Sequence, residues 1–199
     1  MRWTVRRAVP TDAFGVSQIN VRSWQHAYSG IVPAEFLAGL RPESREPGWE
    51  RWLDQPDPHA VFVAVDAEDR IGAYCAVAQV RTSRDQLPGV RVGELVALYG
   101  DPDVRGTGAG HLASQAGVDF LAEQGFEHAV LWVLRDNLSG RRFYERHGWS
   151  DDGVQIELEI GGSRLIEVRY SRPLERASWD QCDGDYGGPD STTRRRWGG

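Results

Sequence analysis

The sequence predicts an α/β (α+β) chain, a mixed sheet of about seven strands flanked by helices. Three observations carry that prediction. Seven short apolar or alternating runs are interleaved with segments of helical period. Gly-, Pro- and Asp-rich turns punctuate them. One clear strand-helix-strand unit stands among hairpin-like pairs, so parallel and antiparallel neighbours are both expected. At 199 residues the chain suffices for one domain that buries roughly 70% of its unfolded surface.

The first run, Trp3 to Val9, is strand-like, and Pro10, Thr11 and Asp12 then open a helix whose apolar positions include Val16, Ile19, Trp24 and Ala27. That helix should end at Ser29 and Gly30. Phe36, Leu37, Trp49, Trp52 and Leu53 suggest two short helices broken around Pro42, Pro47 and Gly48. Val61 to Val65 and Ile71 to Val80 form a strand pair joined by the polar turn Asp66 to Arg70. Arg81 to Val90, with Pro88 and Gly89, reads as an exposed loop. Val92 to Tyr99 is a strand, Gly108 to Gln124 a helix with Gly125 as its C-cap, and Ala129 to Leu134 a buried strand. Leu138 to His147 is helical and stops at Gly148. The last strands, Gln155 to Ile160 and Arg164 to Ser171, flank Gly161 and Gly162, a pair suited to a tight hairpin. The patterned body is residues 1–174. In 175–199 the composition turns to Gly, Asp, Ser and Arg, with too little apolar surface to offset the entropy of ordering, so a flexible tail is expected.

Composition removes several chemistries. With 23 basic and 29 acidic residues the net charge is -6, which lacks the basic footprint of a nucleic-acid binder and favours small cationic partners. No run approaches the ~18 apolar residues of a membrane helix, and the two early arginines precede no apolar signal segment, so a cytoplasmic protein is expected. Lysine is absent, which excludes a Walker lysine and a Schiff-base lysine. Cys75 and Cys182 form no CxxC pattern, and the five histidines show no ligand spacing, so no metal site is expected.

The sharpest local feature is Arg105-Gly106-Thr107-Gly108-Ala109-Gly110, between a strand and the helix that follows. Glycines at that junction let backbone N–H groups approach an anion, and the helix dipole adds attraction, so a phosphorylated ligand is the natural guess. Gly108, Gly110 and Ala113 also fit a dinucleotide fingerprint, but Gly100 to Thr107 separates them from the strand end, which suits that reading poorly.

Glu94, Leu95, Leu98, Tyr99, Pro102, Arg105, Gly106, Gly108 and Gly110, followed by Asn137, Phe143, Tyr144, Gly148 and Trp149, resemble the GNAT superfamily of N-acetyltransferases. The likeness runs from Trp3 to Leu174 and is concentrated in the R-G-x-G-x-G cradle and the N-x-x-G-x-x-F-Y-E-x-x-G-W block. It implies a mixed, mostly antiparallel sheet splayed at an acetyl-CoA site. It further implies that Arg105, Gly106, Thr107, Gly108, Ala109 and Gly110 hold the pyrophosphate, that Leu98, Tyr99 and Gly100 bond the pantetheine arm, that Asn137 bonds the cofactor and that Tyr144 faces its sulfur. The acceptor groove would lie between the early helices and the sheet, lined by Trp24 and Tyr28. A homodimer is common in the family.

Amide formation from a thioester requires an unprotonated amine, an oxyanion site and a fate for the thiolate. An alkylammonium with pKa ~10 must lose its proton to a base, for which Glu94 is the candidate. Backbone N–H groups at a strand bulge, for which Gly100 is the candidate, would hold the oxyanion. Tyr144 would protonate the thiolate. The expected activity is direct acetyl transfer to a primary amine of a small molecule. The alternatives are an inactive acyl-CoA-binding module, an acetyltransferase acting on a protein N-terminus, and a nicotinamide-dependent oxidoreductase.

Overall fold

A computed structural model describes residues 2–175; the tail 176–199, with Cys182, lies outside the described residues. Seven strands form one sheet in the order β1-β2-β3-β4-β5-β7-β6. They are β1 (Thr4–Arg7), β2 (Ala60–Val65), β3 (Ile71–Gln79), β4 (Val92–Gly100), β5 (His128–Leu134), β6 (Ser150–Ile160) and β7 (Ser163–Pro173). Every pairing is antiparallel except β4 with β5, the two strands joined by the crossover through α4 (Ala109–Glu123). The other helices are α1 (Ala13–Ala27), α2 (Ala34–Gly39), α3 (Pro42–Leu53) and α5 (Leu138–Arg146).

Strand alternation sorts the core onto two faces. Cys75 and Val77 of β3, Leu131 and Val133 of β5, and Val168 and Tyr170 of β7 point to one face, where they pack with Ala113, Leu121 and Tyr144 of α4 and α5. Val61, Val63, Tyr74 and Ala76 point to the other, against Val16 and Ile19 of α1 and Trp49 and Trp52 of α3. Each such set removes large apolar surfaces from water, at roughly 1.5–3 kcal/mol per fully buried aliphatic or Phe side chain.

The feature that positions the site is a failure of pairing. β4 and β5 are joined only at Val92–His128, Gly93–Ala129 and Glu94–Val130; beyond Glu94 the strands part. On its other edge β4 stays paired with β3 to Gly100, with one bulge where Val77 faces Leu95 and Ala76 faces Ala97, leaving Val96 as the extra residue. The bulge therefore sits at Val96, not at Gly100, which pairs regularly with Ala73.

Three other expectations are corrected. Pro47 does not break α3: Pro47 is on the exposed side, so the carbonyl of Glu43 that loses its helical donor can turn to water, while Trp49 and Trp52 hold the opposite side to the sheet. β6 begins at Ser150, earlier than its apolar pattern, because Ser150 and Asp151 pair with Ser171 and Tyr170 before a bulge resumes the register at Gln155. The segment 81–90 is not simply an exposed loop. Asp85 is buried within it and receives Arg169 Nη1 of β7 at 3.1 Å, while the same nitrogen donates to the Arg84 carbonyl at 2.8 Å and Arg169 Nε donates to Asp152 at 2.8 Å.

Candidate active site

The parted strands open a cleft of about 700 Å³ lined by β4 from Leu95 to Gly100, by Trp132 and Val133 of β5, by the Arg105–Gly110 segment and by Asn137, Phe143 and Tyr144. Its wall on β4 is backbone. Alternate N–H and C=O groups on the edge turned away from β3 have no β5 partner there, although Ser23 Oγ donates to the Gly100 carbonyl at 2.7 Å. An extended ligand with amide groups fits such an edge.

At one end stands the cradle. Gly106 and Gly108 have φ of 77° and 93°, a backbone conformation open to glycine, and Gly108 caps α4. Gly110 has no such demand, and a Cβ there would meet nothing of the protein within 4 Å. Neither its own backbone nor its neighbours require glycine, and the open space beside it belongs to the cleft. The first N–H groups of α4 lack helical acceptors and point with the positive end of the dipole, an arrangement suited to phosphate. The loop is held by Trp3, whose indole N–H donates to Thr107 Oγ1 at 2.8 Å, while Thr107 donates to the Val104 carbonyl at 2.6 Å. Arg105 spans the mouth, close to His26 Nε2 at 2.6 Å and donating to Ser139 Oγ at 3.2 Å.

Asn137 caps α5, with its Oδ1 accepting from the Gly140 N–H at 3.0 Å. A Cβ on Gly140 would come within 2.6 Å of the Asn137 amide, so glycine at 140 is what lets this side chain fold onto its helix. Two turns on, Tyr144 is 8% exposed and packed edge-on against Phe143 and Trp149. Burial, aided by Tyr99 and Cys75, pushes its phenol well up, which keeps the proton on it at every physiological pH.

The cleft passes through the sheet. Tyr144 and Leu98 belong to the α4 face, whereas Tyr99, Ala97 and Trp132 belong to the α1 face, where Tyr28 closes the opening. Tyr28 and Tyr99 share a 3.0 Å hydroxyl contact, and burial raises both phenols. Trp24 stacks edge-on behind Tyr28 at 4.9 Å without lining the cleft. Glu94 is likewise buried at its side, with both oxygens engaged by Arg81: Nη2 to Oε1 at 3.1 Å and Nε to Oε2 at 3.3 Å. Sequence reasoning missed two residues here. Trp132 is an aromatic in a strand that read as wholly buried, and Glu167 is one charge in an alternating hairpin strand. Burial and then Glu94 raise the Glu167 carboxyl above its ordinary range. Among the described residues no cluster of three His, Cys, Asp or Glu could hold a metal, and no helix is long and apolar enough to cross a membrane.

Comparison with known proteins accords with this geometry. The model of the Acetyltransferase (GNAT) family matches residues 21–149, from α1 through the cradle to Trp149. The chain belongs to that family. This GNAT protein is 28% identical over 170 residues to the uncharacterised N-acetyltransferase YuaI of Bacillus subtilis (strain 168), covering 85% of this chain and 92% of YuaI. It is 36% identical over 141 residues to a mycothiol acetyltransferase of Kytococcus sedentarius, covering 70% of this chain; that match spans 42% of the relative. Among solved structures, PaiA N-acetyltransferase from Thermoplasma acidophilum in complex with coenzyme A superimposes with a TM-score of 0.66 at 17% identity, over 87% of this chain and 99% of that one. YncA from Salmonella typhimurium with acetyl-CoA gives 0.65 at 16% identity, over 96% and 100%. The protein is an acetyl-CoA-dependent acyltransferase of GNAT fold. The open β4 edge and the cradle at Gly110 fit that co-substrate, which supplies an acetyl group activated as a thioester.

Proposed function

We propose that this GNAT enzyme acetylates the primary amine of a small molecule by direct transfer. The observation that carries this reading is the cleft on the α1 face, walled by the aromatics Tyr28, Tyr99 and Trp132, with two carboxylates, Glu94 of β4 and Glu167 of β7, on the same side of the sheet. Aromatic faces and negative charge both attract an ammonium ion. Leu98, Tyr99 and Gly100 offer the pantetheine arm the open backbone edge of β4, Arg105 to Gly110 receive the phosphates, and the Asn137 amide nitrogen is left to bond the cofactor. Tyr144 is assigned as the general acid because its phenol lies in the wall of the cleft; burial, which holds the phenol proton more tightly, makes transfer to the departing thiolate uphill and its contribution modest.

The test is release of free thiol from acetyl-CoA with a panel of 1,4-diaminobutane, spermidine, phenylethylamine, glucosamine, amino acids and a peptide beginning with alanine. Turnover with one or more of the small amines is expected. Turnover with the peptide alone, or with none while acetyl-CoA still binds, would replace this reading by an N-terminal acetyltransferase or by a binding module.

A further inference from the structure

Glu94 and Glu167 reach the same side of the sheet from different strands and differ in what holds them. Glu94, on β4, gives both oxygens to Arg81. Glu167, on β7, stands opposite Leu134 of β5 and diagonal to Trp132, the aromatic wall of the cleft. Its strand neighbours Val168 and Tyr170 point to the α4 face, so Glu167 points with Arg169 to the α1 face, and its charge is felt by Tyr28 and Tyr99 at the opening. Among the described residues no donor bonds its carboxylate. Glu167 is half-buried, and its carboxylate, so unbonded, keeps contact with solvent and is free to take a proton.

We propose that Glu167 is the base of the transfer, and that Arg81 withholds Glu94 from that role. This assignment rests on the amine reading above. A proton passes from the acceptor's ammonium to the Glu167 carboxylate; the freed nitrogen lone pair forms the N–C bond to the acetyl carbon; the C–S bond breaks and the thiolate takes a proton from Tyr144; the second proton on the new amide nitrogen passes through water to the Tyr144 phenoxide, and Glu167 returns its proton to solvent. Arg81, free to half its surface, holds both oxygens of Glu94, whose charge acts on the base. Burial and that charge both favour the protonated carboxyl of Glu167, which makes it a stronger base for an ammonium than an ordinary carboxylate. The charged and titratable groups facing it are Glu94 and Tyr99 of β4, Tyr28 after α1, Arg81 of the loop, and Arg169 with its partners Asp85 and Asp152.

The test compares Glu167→Gln, Glu94→Gln and the parent protein with the panel's best alkylamine and with hydroxylamine, which is largely unprotonated at neutral pH. Glu167→Gln should lower kcat/KM for the alkylamine by about 10²-fold and remove the acid limb of its pH profile. Hydroxylamine turnover and acetyl-CoA affinity should stay within a few-fold of the parent. Equal losses with both nucleophiles, an unchanged acid limb, or the selective loss appearing in Glu94→Gln instead would overturn the assignment. A ¹³C-carboxyl titration of the free enzyme should show one carboxyl above the usual range that is missing in Glu167→Gln; its absence also overturns it. If that signal is present and no amine is acetylated, it is the amine reading that fails.

Discussion

The two ends of the cleft are built in different ways. The end proposed for the cofactor consists of backbone: a strand edge left open beyond Glu94, helix N–H groups, and glycines at 106, 108 and 110, all within one stretch of chain from β4 to α4. The end proposed for the acceptor is walled by side chains, Tyr28, Tyr99 and Trp132, with Glu94 and Glu167 on the same side of the sheet. A backbone site recognises what every co-substrate molecule has in common, phosphates and amides, and tolerates change in its surroundings. A side-chain site is set by which residues the fold happens to bring together, and one substitution can change its charge.

Breaking the acceptor end at its support should have the largest effect. Replacing Arg169 by methionine leaves Asp85 buried without its guanidinium, and removal of one partner from such a pair costs about 3–5 kcal/mol. Denaturant unfolding should show that loss, partly restored by adding Asp85→Asn, while acetyl-CoA affinity of the folded fraction is retained. Next comes the cofactor end. Gly110→Leu adds a side chain where the protein itself leaves room, so the fold should persist and the ligand should be excluded. The stabilisation of about 2.7 kcal/mol expected at a hundredfold excess of ligand over Kd should vanish from the thermal shift; a full shift in the variant would remove the phosphates from this cradle.

Tyr144→Phe lies where the two ends meet and should be smaller in scope. Cofactor affinity should hold while the single-turnover rate falls by ~10²-fold, the low end for acid catalysis, because a thiolate already leaves readily. A parent-like rate would make Tyr144 a packing aromatic. The smallest effect concerns pH. A carboxyl raised on folding binds more protons in the folded state, so stability should fall as pH rises from the unfolded to the folded value of Glu167, and stay lower above it. Glu167→Gln should flatten that part of the stability profile; a profile identical to the parent would show that the group titrates normally.

The contrast also explains what the sequence made legible. Period-two and helical patterns exposed all seven strands and the principal helices, because burial on one face leaves its period in the residues themselves. The cradle and the Asn137–Trp149 block were equally visible, since each is a local constellation. The bulge at Val96 carries no residue signal: it is a matter of register between β3 and β4. The early start of β6 is imposed by its partner strand across polar residues, and the burial of Asp85 depends on Arg169, 84 residues away. Glu167 looked like any solvent-facing charge of a hairpin. Its environment is made by Tyr28, Glu94 and Tyr99, which are close to it only after the sheet has formed.

The three residue pairs that join β4 to β5 have one further consequence. Within the sheet they are the whole connection between the half containing β1 to β4 and the half containing β5 to β7. A long ligand bonded as proposed, to the β4 edge on one side and to Asn137 and Tyr144 on the other, would act as a strut between these halves, replacing the ladder that the parted strands lack. Occupancy should thus be written into the amide-exchange rates of β5 and β7, strands remote from the cradle, as a slowing that spreads across the seam.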